Sequence, residues 1–380
     1  MIYLDNGATS YPKPKEVADA VYDYIKNVGS NVNRGGYKSA YTAGEVVLDT
    51  REQINEMFNG YGARNVIFTP GETYGLNFLI KGLARNGDKW LASGMEHNAS
   101  YRPLEQLKSL SIIDVDYMPC NRFGQLKLDD ALKMIDSETK AVVMVHASNV
   151  SGTLMPIKEV GMRCMETGTI FIVDAAQTAG MVPIDMKKCH ISAMSIPGHK
   201  SMMGPQGIGA VLIDPNITSD VIPLICGGTG SHSEMSEMPE ELPDRFEAGT
   251  LNIPGIYGLH AAIAWLKDHM EDAHKHEMKL TRRMLDGFAK MNDRVKVAGL
   301  PGIDGRVAVI SIDCIHQDNA IIAFKLEQEH DISTRVGLHC APLAHKSLGT
   351  FPQGTIRFSI GPFNTEDDID MALQAVSELV

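Results

Sequence analysis

Apolar residues recur along this chain with two periods. Val17, Ala20, Val21, Tyr24 and Ile25 follow the spacing of one helix face and predict an amphipathic helix over roughly 14–27. Ala43, Val46, Val47, Ile54, Met57 and Phe58 predict a second helix that stops at Asn59-Gly60. Beyond it, short apolar runs take over: Val66-Ile67-Phe68, Trp90-Leu91-Ala92, Ile112-Ile113-Asp114-Val115, Ala141 to Val145, Ile170 to Val173 and Ala193 to Ile196. Helical patterns separate them at about 73–84, 98–109, 128–135 and 157–167. This alternation predicts an α/β fold, a mainly parallel sheet with helices on both faces, and such sheets gather ligands at the carboxyl ends of their strands.

The pattern changes after Ile213. Residues 226–252 are rich in Gly, Ser and acid, lack a period, and read as a long functional loop. Ile256, Leu259, Ile263, Leu266 and Met270 begin a long helix that can bridge to a second unit. Residues 307–312 and 355–360 read as strands, and Thr365-Glu366-Asp367-Asp368 resembles a capping box that opens the last helix. The expected division is a large domain over 13–255 and a small α+β domain formed by 1–12 with 256–380.

Bulk properties narrow the function classes. The 380 residues suffice for two domains, and 44% of them are hydrophobic. A net charge of -12 argues against a nucleic-acid-binding surface. Cys120, Cys164, Cys189, Cys226, Cys314 and Cys340 lie far apart with no CxxC pair, which argues against zinc and a disulfide framework. The start, Met1-Ile2-Tyr3-Leu4-Asp5, has no basic segment leading into an apolar run, and no stretch of about 18 apolar residues occurs, so the expectation is a cytoplasmic protein without a membrane span.

One spacing carries chemistry. The strand Phe171-Ile172-Val173 ends in Asp174, and Gly198-His199-Lys200 follows, with Lys200 placed 26 residues after the acid. A lysine able to form an imine and an acid able to keep a pyridinium nitrogen protonated are what a pyridoxal 5'-phosphate (PLP) enzyme requires. Alone, Asp174 is also a reasonable helix cap. Lys200 follows an apolar strand and precedes the glycine-rich stretch Gly204 to Gly209, a setting for a partly buried amine that loses its proton. Gln177, three residues past Asp174, is placed to hydrogen-bond a phenolic oxygen. His97 lies just past a strand, in position to stack on a ring or move protons. Gly71-Glu72-Thr73-Tyr74-Gly75 is a glycine turn opening a helix, which suits a phosphate.

A second feature points to sulfur. Cys340 stands in Arg335-Val336-Gly337-Leu338-His339-Cys340-Ala341-Pro342, a loop composition in place of the apolar surroundings of a packed cysteine. Arg335 and His339 put charge near it, the setting of a nucleophilic thiol. Arg357, on a predicted strand, can clamp a carboxylate.

These residues resemble the class V aminotransferase superfamily, specifically its cysteine desulfurases and selenocysteine lyases of the second group. The similarity runs nearly end to end, through Tyr3 to Thr9, Phe68 to Thr73, Glu96-His97-Asn98, Ser148 to Gly152, Val173 to Gln177, Gly198-His199-Lys200, Arg245 to Thr250 and Arg357 to Gly361. The resemblance implies the aspartate aminotransferase-like fold type I. It implies Lys200, Cys340 and His97 as catalytic residues. Lys200 would carry PLP, Asp174 would pair with the ring nitrogen, Gln177 with the phenolate, and His97 would stack on the ring. Thr73, the Tyr74 backbone and His199 would hold the phosphate, with Thr250 reaching the phosphate of the neighbouring subunit in a homodimer with shared sites. Asn149 would border cofactor and substrate, and Ala8, Asn149, Arg335 and Arg357 would surround the substrate. The short segment between Cys340 and Arg357 looks like the second group.

The implied reaction converts L-cysteine to L-alanine, leaves a persulfide on Cys340 and passes the sulfur to an acceptor protein. Selenocysteine cleavage, or another PLP-dependent lyase or transamination reaction on a modified thiol amino acid, is the alternative. The chain departs from the family pattern at Pro197, in place of a hydroxyl residue, at Asn33, in place of histidine, and at Leu338, in place of histidine.

Overall fold

The computed structural model describes residues 1–32 and 36–380, so Asn33 lies outside the described residues. Strand β1 (Ile2–Tyr3) is followed by helices α1 (Lys15–Asp23) and α2 (Lys38–Met57). Strands and helices then alternate: β2 (Val66–Thr69), α3 (Glu72–Leu83), β3 (Asp88–Ser93), α4 (Asn98–Ser109), β4 (Ile113–Met118) and α5 (Leu128–Met134). Next come β5 (Thr139–Val145), α6 (Ile157–Thr167), β6 (Ile170–Asp174), β7 (Ala193–Pro197) and β8 (Gly209–Ile213). The remainder comprises α7 (Ile253–Ala289), β9 (Val295–Ala298), β10 (Val309–Cys314), α8 (Asn319–His330), β11 (Ile332–Ser333), β12 (Arg335–Gly337), α9 (Pro342–Leu348), β13 (Thr355–Ser359) and α10 (Glu366–Leu379).

The predicted strands and helices up to β7 assemble into a seven-stranded sheet ordered β2-β8-β7-β6-β5-β3-β4. Its central strands are parallel and buried on both faces, which explains their unbroken apolar runs. Strand β8 is an addition to the sequence reading and runs antiparallel to both neighbours. Only residues 198–208 separate it from β7. A parallel return needs a crossover of about a dozen residues or more, usually a helix. The chain doubles back instead, and Lys200 sits on that reversal.

Helix α1 ends earlier than its apolar period suggests: it widens into one π turn at Tyr24–Val28, closed by Gly29 at φ 57°. Helix α7 spans 37 residues and serves two cores. Ile253, Ile256, Leu259, Ile263 and Leu266 join the apolar cluster on one face of the large sheet. Leu280, Met284, Leu285 and Phe288 join a separate cluster under a four-stranded antiparallel sheet, β12-β13-β10-β9. Helices α8 and α10 cover that sheet with Ile322, Leu326, Ile369 and Val376. Strand β1 pairs with β11, Ile2 opposite Ile332, so the first residues join this second core.

The capping box is formed. Thr365 Oγ1 accepts from Asp368 N–H at 3.1 Å, and the Asp368 carboxylate accepts from Thr365 N–H at 2.9 Å. Residues 226–252 are irregular apart from a short turn at Asp244–Phe246. Glu247 fastens the end of this segment to the sheet through a buried pair with Arg51 (2.6 Å) and the Phe68 N–H (2.6 Å). Among the described residues, no helix is long and apolar enough to cross a membrane.

Candidate active site

Five strands deliver side chains to one place. Strand β8 is antiparallel to both β2 and β7, so β2 points the same way as the parallel strands. The carboxyl ends of β2, β3, β5, β6 and β7 therefore lie on one edge. They lead into Glu72-Thr73, His97, Asn149, Asp174 and Lys200 respectively, and all of these line a cavity of about 480 Å³.

Asp174 closes β6 and is 1% exposed. Its Oδ1 accepts from the Ala176 N–H at 2.9 Å. Burial raises its pKa, while the Ala176 N–H and the nearby Lys200 cation pull the other way. Lys200 has its pKa lowered, mainly by burial, with Asp174 and Glu72 opposing and Arg357 and Arg335 assisting. The amine thus sheds its proton more readily than a solvated lysine. Gln177 donates through Nε2 to the Gly7 carbonyl (3.2 Å) and borders the same cavity.

His97 is the N-cap of α4: its Nδ1 accepts from the Ala99 N–H at 3.1 Å, which leaves the proton on Nε2. Burial lowers its pKa to about 3, and Lys200, Arg335, Arg357 and Arg102 push the same way. A neutral, fixed ring suits stacking. His199 is likewise neutral, with its pKa lowered to about 4 by burial and then by Lys200 and Lys13, and its Nδ1 is buried without a partner. Thr73 and Tyr74 lie in the first turn of α3, beside Gly71. Gly71 turns the chain at φ 151°, a backbone open to glycine, and this aims the free N–H groups of α3 at the cavity.

The cysteine loop adjoins this cavity. Cys340 is exposed and lines a second groove of about 600 Å³ that shares Thr73, His97 and Ala99 with the first cavity. Arg335 Nη2 donates to Cys340 Sγ at 3.4 Å. The loop is held by its backbone. Asn149 Nδ2 donates to the His339 carbonyl (2.7 Å), and the Asn98 N–H to the Cys340 carbonyl (2.7 Å). His339 and Cys340 adopt φ of 48° and 57°, consecutive left-handed residues at the tip. One expectation is corrected: His339 is buried against Thr355, and burial with the Arg357 charge drops its pKa to about 2. It stays neutral, so Arg335 is the cation beside the sulfur.

Arg357 is buried on β13 and already paired. Nη2 donates to Asp5 Oδ1 (2.6 Å) and Nη1 to the Asn149 carbonyl (3.2 Å), while Nε is buried without a partner. Ala8 is half-buried in the segment that folds over it, its N–H on the Asp5 carbonyl (2.9 Å). Ala8, Arg335, Arg357 and Thr250 line neither the cavity nor the groove; Arg335 and Arg357 reach them through Cys340 and Asn149, whereas Thr250 is exposed and apart from both. Pro197 is buried at the end of β7, opposite Gly209, and Leu338 is half-buried with its carbonyl accepting from the Ala341 N–H at 2.8 Å.

Three neighbours were not singled out in the sequence. Asp5 reaches Arg357 across 352 residues, which no local spacing reveals. Lys13 donates to the His199 carbonyl (3.2 Å), and burial lowers its pKa to about 8. Glu72 lines the main cavity, with both carboxyl oxygens buried. Its only sequence signal was an acid inside a glycine turn.

An α/β sheet with a lysine and a buried aspartate at its carboxyl edge defines a fold type I PLP-enzyme scaffold. The description "Aminotransferase class-V" matches residues 2–372, and the chain belongs to that family. It is 31% identical to the cysteine desulfurase of Haloferax volcanii, over 99% of this chain and 88% of that one. It is 33% identical to a probable cysteine desulfurase of Pyrococcus abyssi, over 100% of this chain and 94% of that one. Among solved structures, the apo cysteine desulfurase of Thermococcus onnurineus NA1 superposes with a TM-score of 0.92 at 30% identity, covering 100% of this chain and 94% of that one.

Proposed function

We propose that this chain is a PLP-dependent cysteine desulfurase that converts L-cysteine to L-alanine and takes the sulfur onto Cys340. The observation that carries the reading is one juxtaposition: Lys200 and Asp174 line one cavity, and Cys340 lines a groove that shares Thr73 and His97 with it. The cavity residues fit the cofactor. Asn149 Oδ1 and His199 Nδ1 are buried polar atoms without partners, and the start of α3 adds open N–H groups.

Lys200 would hold the aldehyde carbon, Asp174 the ring nitrogen and Gln177 the phenolic oxygen, with His97 over the ring. Thr73, the Tyr74 N–H and His199 would hold the phosphate, joined by Thr250 from a second copy in a homodimer. When bound, the group would supply an electron sink for the carbon next to the substrate amine. The chain's own residues do the rest. Lys200, with its lowered pKa, takes the Cα proton onto Nζ. Asn149 and Arg357 orient the substrate carboxylate beside Ala8. The Cys340 thiolate, held by Arg335, attacks the substrate sulfur. A sulfur–sulfur bond forms and the carbon–sulfur bond breaks. Its electron pair stays on the β-carbon, which takes up a proton equivalent to the one the Cys340 thiol gave up and becomes the methyl group of alanine, while Lys200 returns its proton to Cα. An acceptor thiol, on a partner protein or free, then removes the sulfur from the exposed Cys340. The division into a cofactor-binding domain over 13–255 and a second over 1–12 and 256–380 belongs to the same proposal, as does a cytoplasmic location.

The test is alanine release from L-cysteine by the purified holoenzyme with a reductant, run beside Cys340→Ala. Alanine from the wild type, lost in the variant, is expected. Pyruvate or a keto acid in its place selects another PLP reaction.

A further inference from the structure

Glu72 is the first residue of α3 and lines the same cavity as Asp174 and Lys200. Both of its carboxyl oxygens are buried without a hydrogen-bonding partner. The groups that face it come from separate elements: Asp174 at the end of β6, Ser195 on β7, and Lys200 past β7. Tyr74, His97 and His199 complete the titratable lining. Ser195 Oγ is itself buried and unpartnered. One turn along α3, Gly75 makes the approach close, for a Cβ there would fall 2.4 Å from Ser195 Oγ. Helix α3 therefore presses onto β7 and holds Glu72 inside.

Two carboxylates side by side in a dry site do not both stay ionised. Asp174 Oδ1 has a backbone donor, the Ala176 N–H at 2.9 Å. Glu72 has no backbone donor, only the Ser195 hydroxyl nearby in poor geometry. An anion so weakly served is costly to bury, so the proton settles on Glu72. Its carboxyl pKa is raised well above the ordinary range, by burial first and then by Asp174. Once protonated, the group has one good acceptor alongside, the Asp174 carboxylate. The start of α3 is also where the phosphate is to sit, and an ionised acid there would repel it, whereas a neutral one would not.

We propose that Glu72 is a positioning residue: a neutral acid that donates a hydrogen bond to Asp174 and so keeps that carboxylate ionised and fixed for the ring nitrogen of the cofactor. This rests on the PLP assignment above.

The test compares wild type with Glu72→Gln, which keeps length and a donor, and Glu72→Met, which keeps length without one. Far-UV circular dichroism checks folding, and Glu72→Ala replaces the methionine variant should that fail to fold. In the apoprotein at neutral pH, the infrared difference between wild type and Glu72→Gln should show loss of a protonated-carboxyl band. In holoenzyme carrying PLP labelled with heavy nitrogen in the ring, wild type and Glu72→Gln should give a protonated-ring resonance. Glu72→Met should shift it toward the unprotonated position and lose PLP on dialysis about tenfold faster, the effect of one buried hydrogen bond. No infrared difference, or a glutamine variant that behaves like the methionine one, overturns the inference. So do equal resonances and equal PLP loss in all the proteins. Failure of the wild type to take up PLP at all overturns the cofactor assignment instead, and the infrared band still decides where the proton lies.

Discussion

Lys200 follows a strand buried on both faces, whereas Cys340 stands exposed at a turn between a short edge strand and a short helix. Around Lys200 the charged groups are buried and their proton affinities displaced: Asp174 and Glu72 up, His97 and His199 down. Around Cys340 the surroundings are wet, and order comes from the backbone, through Asn149, Asn98 and two left-handed residues. The difference follows from the two tasks. Stabilising charge next to an amine works best where water is excluded and dipoles are fixed. Handing sulfur to an acceptor needs a nucleophile that another molecule can reach. The fold provides both by joining a parallel-sheet edge to a loop from the second core.

That contrast can be broken from either side. Lys200→Ala gives the largest effect: alanine formation should fall by at least about a thousandfold, as for loss of a residue that both carries the group and moves the proton. Cys340→Ala comes next. Alanine from L-cysteine should drop by at least about a hundredfold, yet the absorbance of bound PLP should match the wild type, because nothing from Cys340 reaches the lysine cavity. A changed cofactor spectrum would show that the regions are not separable. Asn149→Ala tests the link itself, since Nδ2 holds the His339 carbonyl and the residue lines the cavity. Leaving a buried carbonyl unpaired costs about 1–3 kcal/mol, so kcat/KM should fall roughly tenfold to a hundredfold. Hydrogen exchange at the cysteine loop should quicken.

The smallest effect concerns stability alone. Glu277 on α7 is buried behind the lysine pocket, in a small cavity with Gln177 and Lys200, and burial raises its pKa from 4.5 to about 8. The folded chain therefore keeps a proton that the unfolded chain has released. No penalty exists below the lower value; it grows as pH rises and is complete above the higher one. The melting temperature should fall across that window, and Glu277→Gln should flatten the fall by a few degrees, with sulfur transfer nearly unchanged.

Legibility in the sequence divides along the same line. The sheet and its helices showed through apolar period, because buried parallel strands leave unbroken runs such as Ala141 to Val145. Asp174 and Lys200 could be read because both follow strands at a fixed spacing. Strand β8 was missed because its start is glycine-rich and reads as a turn. The Asp5–Arg357 pair and the burial of His339 depend on contacts between distant segments, which local pattern does not encode. Glu72 was passed over because an acid at a helix start ordinarily serves the dipole, and only the packing of α3 on β7 turns it inward.

The most direct measurement is peptide mapping by mass after the holoenzyme meets one equivalent of L-cysteine with no reductant. The account predicts one added sulfur atom on the Cys340 peptide, released as sulfide when thiol is added, with alanine formed in equal amount. Alanine without added sulfur on Cys340, or sulfur carried by one of the other five cysteines, would contradict it.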